Sequence, residues 1–132
     1  MSVMPHQSAC PFCNTDNSRV ILANTHAIAI PDGFPIAPGH TLIIPKRHID
    51  SFFDATREEQ TALLDLLTEM RHRLLTELSP AGFNIGINDG AAAGQTVMHL
   101  HIHLIPRYAG DTPDPRGGVR WIFPDKAAYW DK

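Results

Sequence analysis

Between residues 99 and 104 the chain reads His-Leu-His-Ile-His-Leu, a strict alternation of imidazole and aliphatic side chains. Successive side chains on an extended strand point to opposite faces, whereas a helix would scatter three such histidines around its circumference. The pattern demands a strand, predicted from Thr96 to Ile105 and closed by Pro106-Arg107. His99, His101 and His103 then share one face, with Cβ atoms about 7 Å apart, while Leu100, Ile102 and Leu104 pack into a core. A strand face with no task would carry Thr, Lys or Glu, so three imidazoles at period two point to chemistry.

The rest of the chain supplies what such a strand packs against. Arg19–Asn24 and His26–Ile30 read as a short antiparallel pair, and 31–35 is dense in turn signals. His40–Ile44 is a β-branched apolar run, hence a central strand, and Pro45 ends it because proline cannot donate to a ladder. Thr56-Arg-Glu-Glu59 has the form of a capping box. From that N-cap, Leu63, Leu67, Met70 and Leu74 recur at helical spacing, widened by Leu64, Leu75 and Leu78. Glu58, Asp65, Glu69, Arg73 and Glu77 face outward, and Ser79-Pro80 with Gly82 stops the helix near Leu78. Phe83–Ile87 alternates as a further strand, and a loop over 88–95 leads into the histidine segment. Strands, one long amphipathic helix, then strands make an α+β fold with a mainly antiparallel sheet. The expected organisation is a loose tail over 1–8, one domain over 9–108, and an irregular tail over 109–132 packed on it.

Charge narrows the partners. Eleven Lys and Arg against fourteen Asp and Glu leave a net −3, with no basic field to hold nucleic acid or an anionic membrane. No run approaches the roughly 18–20 apolar residues of a membrane span, and the N-terminus lacks the basic flank and apolar stretch of a secretory signal. A cytoplasmic location is therefore the default expectation. Eight histidines are many for 132 residues, and they are the surplus to explain.

Cys10 and Cys13 are the only cysteines. A thioredoxin-like pair would follow a strand and open a helix, and none precedes this one. Two inert thiols remain open as a reading, but the spacing better fits half of a zinc site, whose other ligands the histidines could supply. The triad itself admits two chemistries. The three imidazoles could hold a catalytic metal, or one could serve as nucleophile or general base. No carboxylate lies within five residues to complete a metal site. Instead Gly94-Gln95-Thr96 precedes the strand with an amide, a hydroxyl and backbone N–H groups that suit phosphate oxygens, which favours the second chemistry.

Gly94-Gln-Thr-Val-Met-His99-Leu-His101-Ile-His103-Leu-Ile-Pro-Arg107 resembles the active-site segment of the histidine triad (HIT) superfamily. The dinucleoside polyphosphate hydrolase branch, with the fragile histidine triad proteins, is the most similar in pattern. The resemblance spans about residues 9–108. It includes Asp32-Gly-Phe-Pro35, the run Pro38 to His48, and Asn88-Asp89-Gly90. Asp114-Pro-Arg-Gly-Gly-Val-Arg120 resembles a segment of some bacterial members.

The resemblance implies a HIT-like fold and a nucleotide hydrolase or transferase acting at the α-phosphate of an adenine nucleotide, a dinucleoside polyphosphate or a nucleoside phosphoramidate. It implies His101 as the nucleophile that forms a nucleotidyl-histidine, with His103 on a phosphate oxygen or the leaving group. Gln95 joins these two as a catalytic group. Gln95 and the Thr96 backbone would hold the phosphates beside Asn88, and Asp32 would grip the ribose hydroxyls. On turn chemistry alone, Asp32 before Gly33 reads as a turn residue. Members with a Cys-x-x-Cys complete a structural zinc site with two histidines, here matching His48 and His99. Cys10, Cys13, His48 and His99 would then be a closed set with no catalytic metal needed. The fragile histidine triad proteins lack the cysteine pair, and many members form homodimers. His40 reads as a structural or loop polar group, and His6, His26 and His72 as surface residues. Two other classes remain open: a metal-dependent hydrolase using the triad as ligands, and a nucleotide-binding protein with little turnover.

Overall fold

A computed structural model describes residues 9–131, so the expected tail over 1–8 lies outside the described residues. Five strands form one antiparallel sheet: β1 (Leu22–Ala23), β2 (Ala27–Pro31), β3 (Thr41–Pro45), β4 (Gly82–Gly86) and β5 (Ile102–Arg107). Their spatial order is β1-β2-β3-β5-β4, and a single long helix, α1 (Arg57–Leu78), lies between β3 and β4 in the chain. The α+β class and the antiparallel sheet are those the sequence implies. Among the described residues no helix is long and apolar enough to cross a membrane.

The capping box forms in full: the Thr56 side chain accepts from the Glu59 N–H, and the Glu59 carboxylate accepts from the Thr56 N–H. Each satisfies a donor that a helix start leaves open. Ser79, in the left-handed conformation, caps the other end. Leu63, Leu66, Met70 and Leu74 enter the core with Ala27, Ala29, Ile43, Leu100, Ile102 and Leu104. The expected stripe needs correction at its margins. Leu64 and Leu78 are half-exposed, because each residue turns the helix by about 100° and these two fall off the row centred on Leu66.

Only one sheet face meets α1. The other face of β3 carries Leu42 and Ile44, covered by Phe12, Val20 and Ile28 with Ile30, so β3 is buried on both sides. Along β5, Ile102, Leu104 and Pro106 are buried while His103, Ile105 and Arg107 lie on the opposite, partly open face.

The histidine strand is shorter than the alternation predicts. It begins at Ile102, because residues 96–101 leave the ladder and bond to the loop after β3: the Leu100 N–H donates to the Ile49 carbonyl at 2.7 Å. Within that segment His99, Leu100 and His101 are all buried. The strand also runs to Arg107, past the expected stop, since beyond Leu104 β5 has β4 as its one partner and a proline is tolerated there. The first predicted strand shrinks to Leu22–Ala23, its start being a 3-10 turn over Asn17–Arg19 capped by Asp16. The tail expected to be irregular instead carries a 3-10 turn over Gly118–Ile122, a short helix α2 (Pro124–Ala127) and a last 3-10 turn over Tyr129–Asp131.

Gly39 is fixed by packing. Its φ is +86°, and a Cβ there would stand 2.8 Å from Leu78, 3.0 Å from Leu74 and 3.1 Å from Pro106. The chain thus passes between the end of α1 and β5 just before His40.

Candidate active site

His101 stands immediately before β5, 8% exposed, and its Nδ1 lies 2.9 Å from the His99 carbonyl oxygen. A carbonyl only accepts, so Nδ1 carries the proton and Nε2 keeps its lone pair. The rings of Phe12 and His103 each meet the imidazole edge-on at a centroid distance of 5.1 Å. These contacts hold the ring in one orientation.

His103 is controlled by a residue that sequence reasoning gave no part in the site. His40, 4% exposed, places Nε2 3.0 Å from His103 Nδ1. The Ile36 N–H donates to His40 Nδ1 at 3.2 Å, so the proton of His40 sits on Nε2 and is given to His103 Nδ1. His103 in turn bears its proton on Nε2. Asp32 completes the group: Oδ2 is 3.3 Å from His40 Nε2 and 3.9 Å from His103 Nδ1, while Oδ1 accepts the Phe34 N–H at 2.8 Å. Its turn role and its place beside the histidines coexist. The signal for His40 was topological: β3 pairs antiparallel with β5 in a register that sets Leu42 opposite His103.

Burial pushes His40 below the ordinary imidazole value, with Asp32 pulling it back. Burial also lowers His103, reinforced by His101 and His40 and again opposed by Asp32. Both rings are therefore neutral near pH 7, as the proton chain requires.

His99 is fully buried and turns away from this chain of protons. Its Nε2–H donates to the Pro45 carbonyl at 2.8 Å, which leaves the Nδ1 lone pair facing Cys10 Sγ at 3.4 Å and Cys13 Sγ at 3.5 Å. His48 Nδ1 lies 3.2 Å from Cys13 Sγ. The four donor atoms of Cys10, Cys13, His48 and His99 fall within 4.8 Å of one another and could hold a metal ion. Tetrahedral zinc bonded at about 2.3 Å to sulfur and 2.0 Å to nitrogen sets those atoms roughly 3.5 Å apart, so the set fits that ion. Arg47 pairs through two hydrogen bonds, at 2.8 and 3.0 Å, with Glu59 and ties the His48 loop to the cap of α1. Arg47 holds the Glu59 carboxyl down to about 2.

Among the described residues His99, His101 and His103 do not gather as one metal-binding group. Asp32, His40 and His103 do, but a cation there would have to displace the proton that His40 gives to His103.

Gln95 is buried and its amide is committed: Oε1 accepts the Gly90 N–H, and Nε2 donates to the Asp50 and Val97 carbonyls. It shapes the loop rather than offering a free amide. Thr96 is exposed, and Asn88 lines a cavity of about 1020 Å3 together with Asp32, His40 and His103.

A HIT-domain model matches residues 14–110, well over half of the chain. The chain belongs to the HIT family. A HIT-like protein of Mycoplasma genitalium is 41% identical over 105 residues, covering 76% of this chain and 74% of its own length. The bis(5'-nucleosyl)-tetraphosphatase (asymmetrical) of Schizosaccharomyces pombe is 43% identical over 77 residues, 58% of this chain but 42% of that protein. A zinc-bound histidine triad family protein of Mycobacterium smegmatis superposes with a TM-score of 0.71 at 33% identity, covering 80% of this HIT chain and 84% of that one.

Proposed function

We propose that this HIT protein transfers a nucleotidyl group from a dinucleoside polyphosphate or a nucleoside phosphoramidate to water or another acceptor, through a covalent intermediate on His101. The observation that carries this reading is the hydrogen bond from His101 Nδ1–H to the His99 carbonyl, which leaves one nucleophilic nitrogen on a ring whose other nitrogen already bears its proton. The S. pombe relative named as a tetraphosphatase supports the substrate class.

The His101 Nε2 lone pair attacks the α-phosphorus while the bond to the leaving oxygen or nitrogen breaks. His103 keeps its Nε2 proton and donates it as a hydrogen bond to that atom as negative charge builds there, and the leaving group takes its own proton from water. For hydrolysis, the water oxygen displaces His101 from phosphorus and releases its proton to solvent, and both rings return to their starting state. His40 holds His103 in the tautomer that can donate. The Thr96 backbone and Asn88 bind phosphate oxygens, Gln95 keeps that loop in shape, and Asp32 takes the ribose hydroxyls on the lone pairs its turn and His40 leave free. Adenine is the base that the family resemblance suggests.

The Cys10, Cys13, His48 and His99 set holds a structural zinc ion that ties the N-terminal loop to the triad and takes no part in the reaction. In this reading the protein is cytoplasmic and pairs as a homodimer, with half-exposed Leu64 and Leu78 available on the helix.

The deciding experiment assays His101→Ala against diadenosine tetraphosphate and adenosine phosphoramidate, with mass spectrometry of the wild-type protein for a nucleotidyl adduct on His101. Turnover by the variant at the wild-type rate would reject the nucleophile. AMP binding with no adduct and no turnover would favour a binding protein.

A further inference from the structure

The cavity beside His103 extends well beyond the triad, and much of its far wall comes from residues 111–122, outside the matched HIT segment. Val119, Trp121 and Ile122 of that wall face the same space as Phe34, Ile36 and Ile85. All six are at least 40% exposed, an apolar surface whose placement inside a cavity calls for a ligand.

The wall is built to hold still. Trp121 Nε1–H donates to the Arg116 carbonyl at 2.8 Å, which fixes its indole. The Arg116 guanidinium lies over the Trp130 ring, 4.4 Å from its centroid, and is held from the other side by Asp114. Arg120 lies 4.7 Å from the Tyr129 ring centroid and donates to the Lys126 carbonyl at 2.7 Å. Gly117, at φ +94°, passes 3.2 Å from Trp130, measured from where a Cβ would stand, so the turn needs glycine. The motif Asp114-Pro-Arg-Gly-Gly-Val-Arg120 thus encodes two cation–aromatic stacks around a tight turn.

The geometry points to a subsite for the base of the leaving nucleoside, formed by Trp121 and Ile122 of the C-terminal segment across from Phe34 and Ile36. Displacement at phosphorus runs in line, so the leaving group departs on the side away from the attacking nitrogen. His103, the donor to that group, lines the cavity and His101 does not. A volume of about 1020 Å3 is at the upper end for ligand sites and exceeds what a single mononucleotide fills. A flat aromatic base is the occupant that a fixed indole and aliphatic neighbours suit best.

This inference rests on the proposed reaction, and the test separates the two. The kcat/KM of wild type, Trp121→Ala, Trp121→Phe and Ile122→Ser is compared on diadenosine tetraphosphate and on adenosine phosphoramidate, whose leaving group has no base. Base stacking predicts a loss of about 5- to 50-fold on the first substrate for Trp121→Ala and Ile122→Ser, recovery in Trp121→Phe, and change within about twofold on the second. Equal losses on both substrates, or none on either, would overturn the subsite while leaving the His101 result to judge the reaction. Calorimetry with AMP and with a methylene-bridged diadenosine tetraphosphate gives a readout free of catalysis. Trp121→Ala is expected to weaken only the two-base ligand, and equal affinity for that ligand in wild type and variant counts against the subsite even if no turnover is seen.

Discussion

His99 and His101 are joined through a main-chain carbonyl: the oxygen of His99 accepts the Nδ1 proton of His101 at 2.9 Å, while the side chain of His99 faces the two cysteines. One residue therefore belongs to the four-donor cluster and fixes the tautomer of its neighbour. Anything that moves the cluster moves the acceptor on which the open nitrogen of His101 depends.

Losing the cluster should therefore be felt first in stability. Cys13→Ser is expected to lose bound zinc in native mass spectrometry and to lower Tm. A loss of ~3 kcal/mol would correspond to roughly 10 °C for a domain of this size. Its kcat should fall less than that of His101→Ala. Full zinc occupancy in Cys13→Ser would remove Cys13 from the set.

In the proposed reaction His40 acts through His103, whose Nδ1 it contacts. His40→Ala is expected to reduce kcat by about 10- to 100-fold with KM changed only a few-fold, because His103 is then free to carry its proton on the wrong nitrogen. His40→Gln, whose amide can still donate to His103 Nδ1, should recover part of the loss. A kcat unchanged in both variants would exclude the relay.

Asp32 gives the pH profile a definite sign. Its charge raises His40 and His103, against the burial that lowers both. Protonation of either ring ends the relay, so activity falls on the acid side, at a pH below the ordinary histidine value. Removing the carboxylate in Asp32→Asn lets both rings drop further, and the acid limb of kcat should shift to lower pH. A shift upward, measured from the full profile, would show that Asp32 acts in another way.

Glu59 should govern acid stability. Its folded value of about 2 lies below the ordinary 4.5, so the native state releases its proton more readily than the unfolded chain. The stabilisation is complete above pH 4.5 and is lost as pH falls toward 2. Allowing for the partial solvent contact of Arg47, it amounts to about 2–3 kcal/mol. Urea unfolding of Glu59→Gln across this range should show a flatter pH dependence than wild type.

The elements with strong local signals were legible in the sequence. The capping box placed the start of α1, and the period-two run marked a strand, of which Ile102 to Leu104 lie in β5 with Ile102 and Leu104 in the core. What escaped depends on partners distant in sequence. The short start of β5 follows from the bond between Leu100 and Ile49, and the commitment of the Gln95 amide from Gly90, Asp50 and Val97. His40 carries no motif of its own. Its place beside His103 exists only once β3 and β5 are paired. Phe12 likewise reads as a spacer between two cysteines until the loop folds back over His101.

The tight passage of Gly39 beneath Leu78 and Leu74 has a consequence for anyone who would transplant this chemistry. The residue next to it, His40, takes its position from the last turn of a helix that begins after β3 and ends some forty residues downstream. A scaffold given the six-residue histidine run alone would have the proposed nucleophile, His101, without the hydrogen-bonded chain of His103 and His40. The smallest portable unit is the run together with the proline-glycine approach to β3 and the end of the long helix that holds it in place.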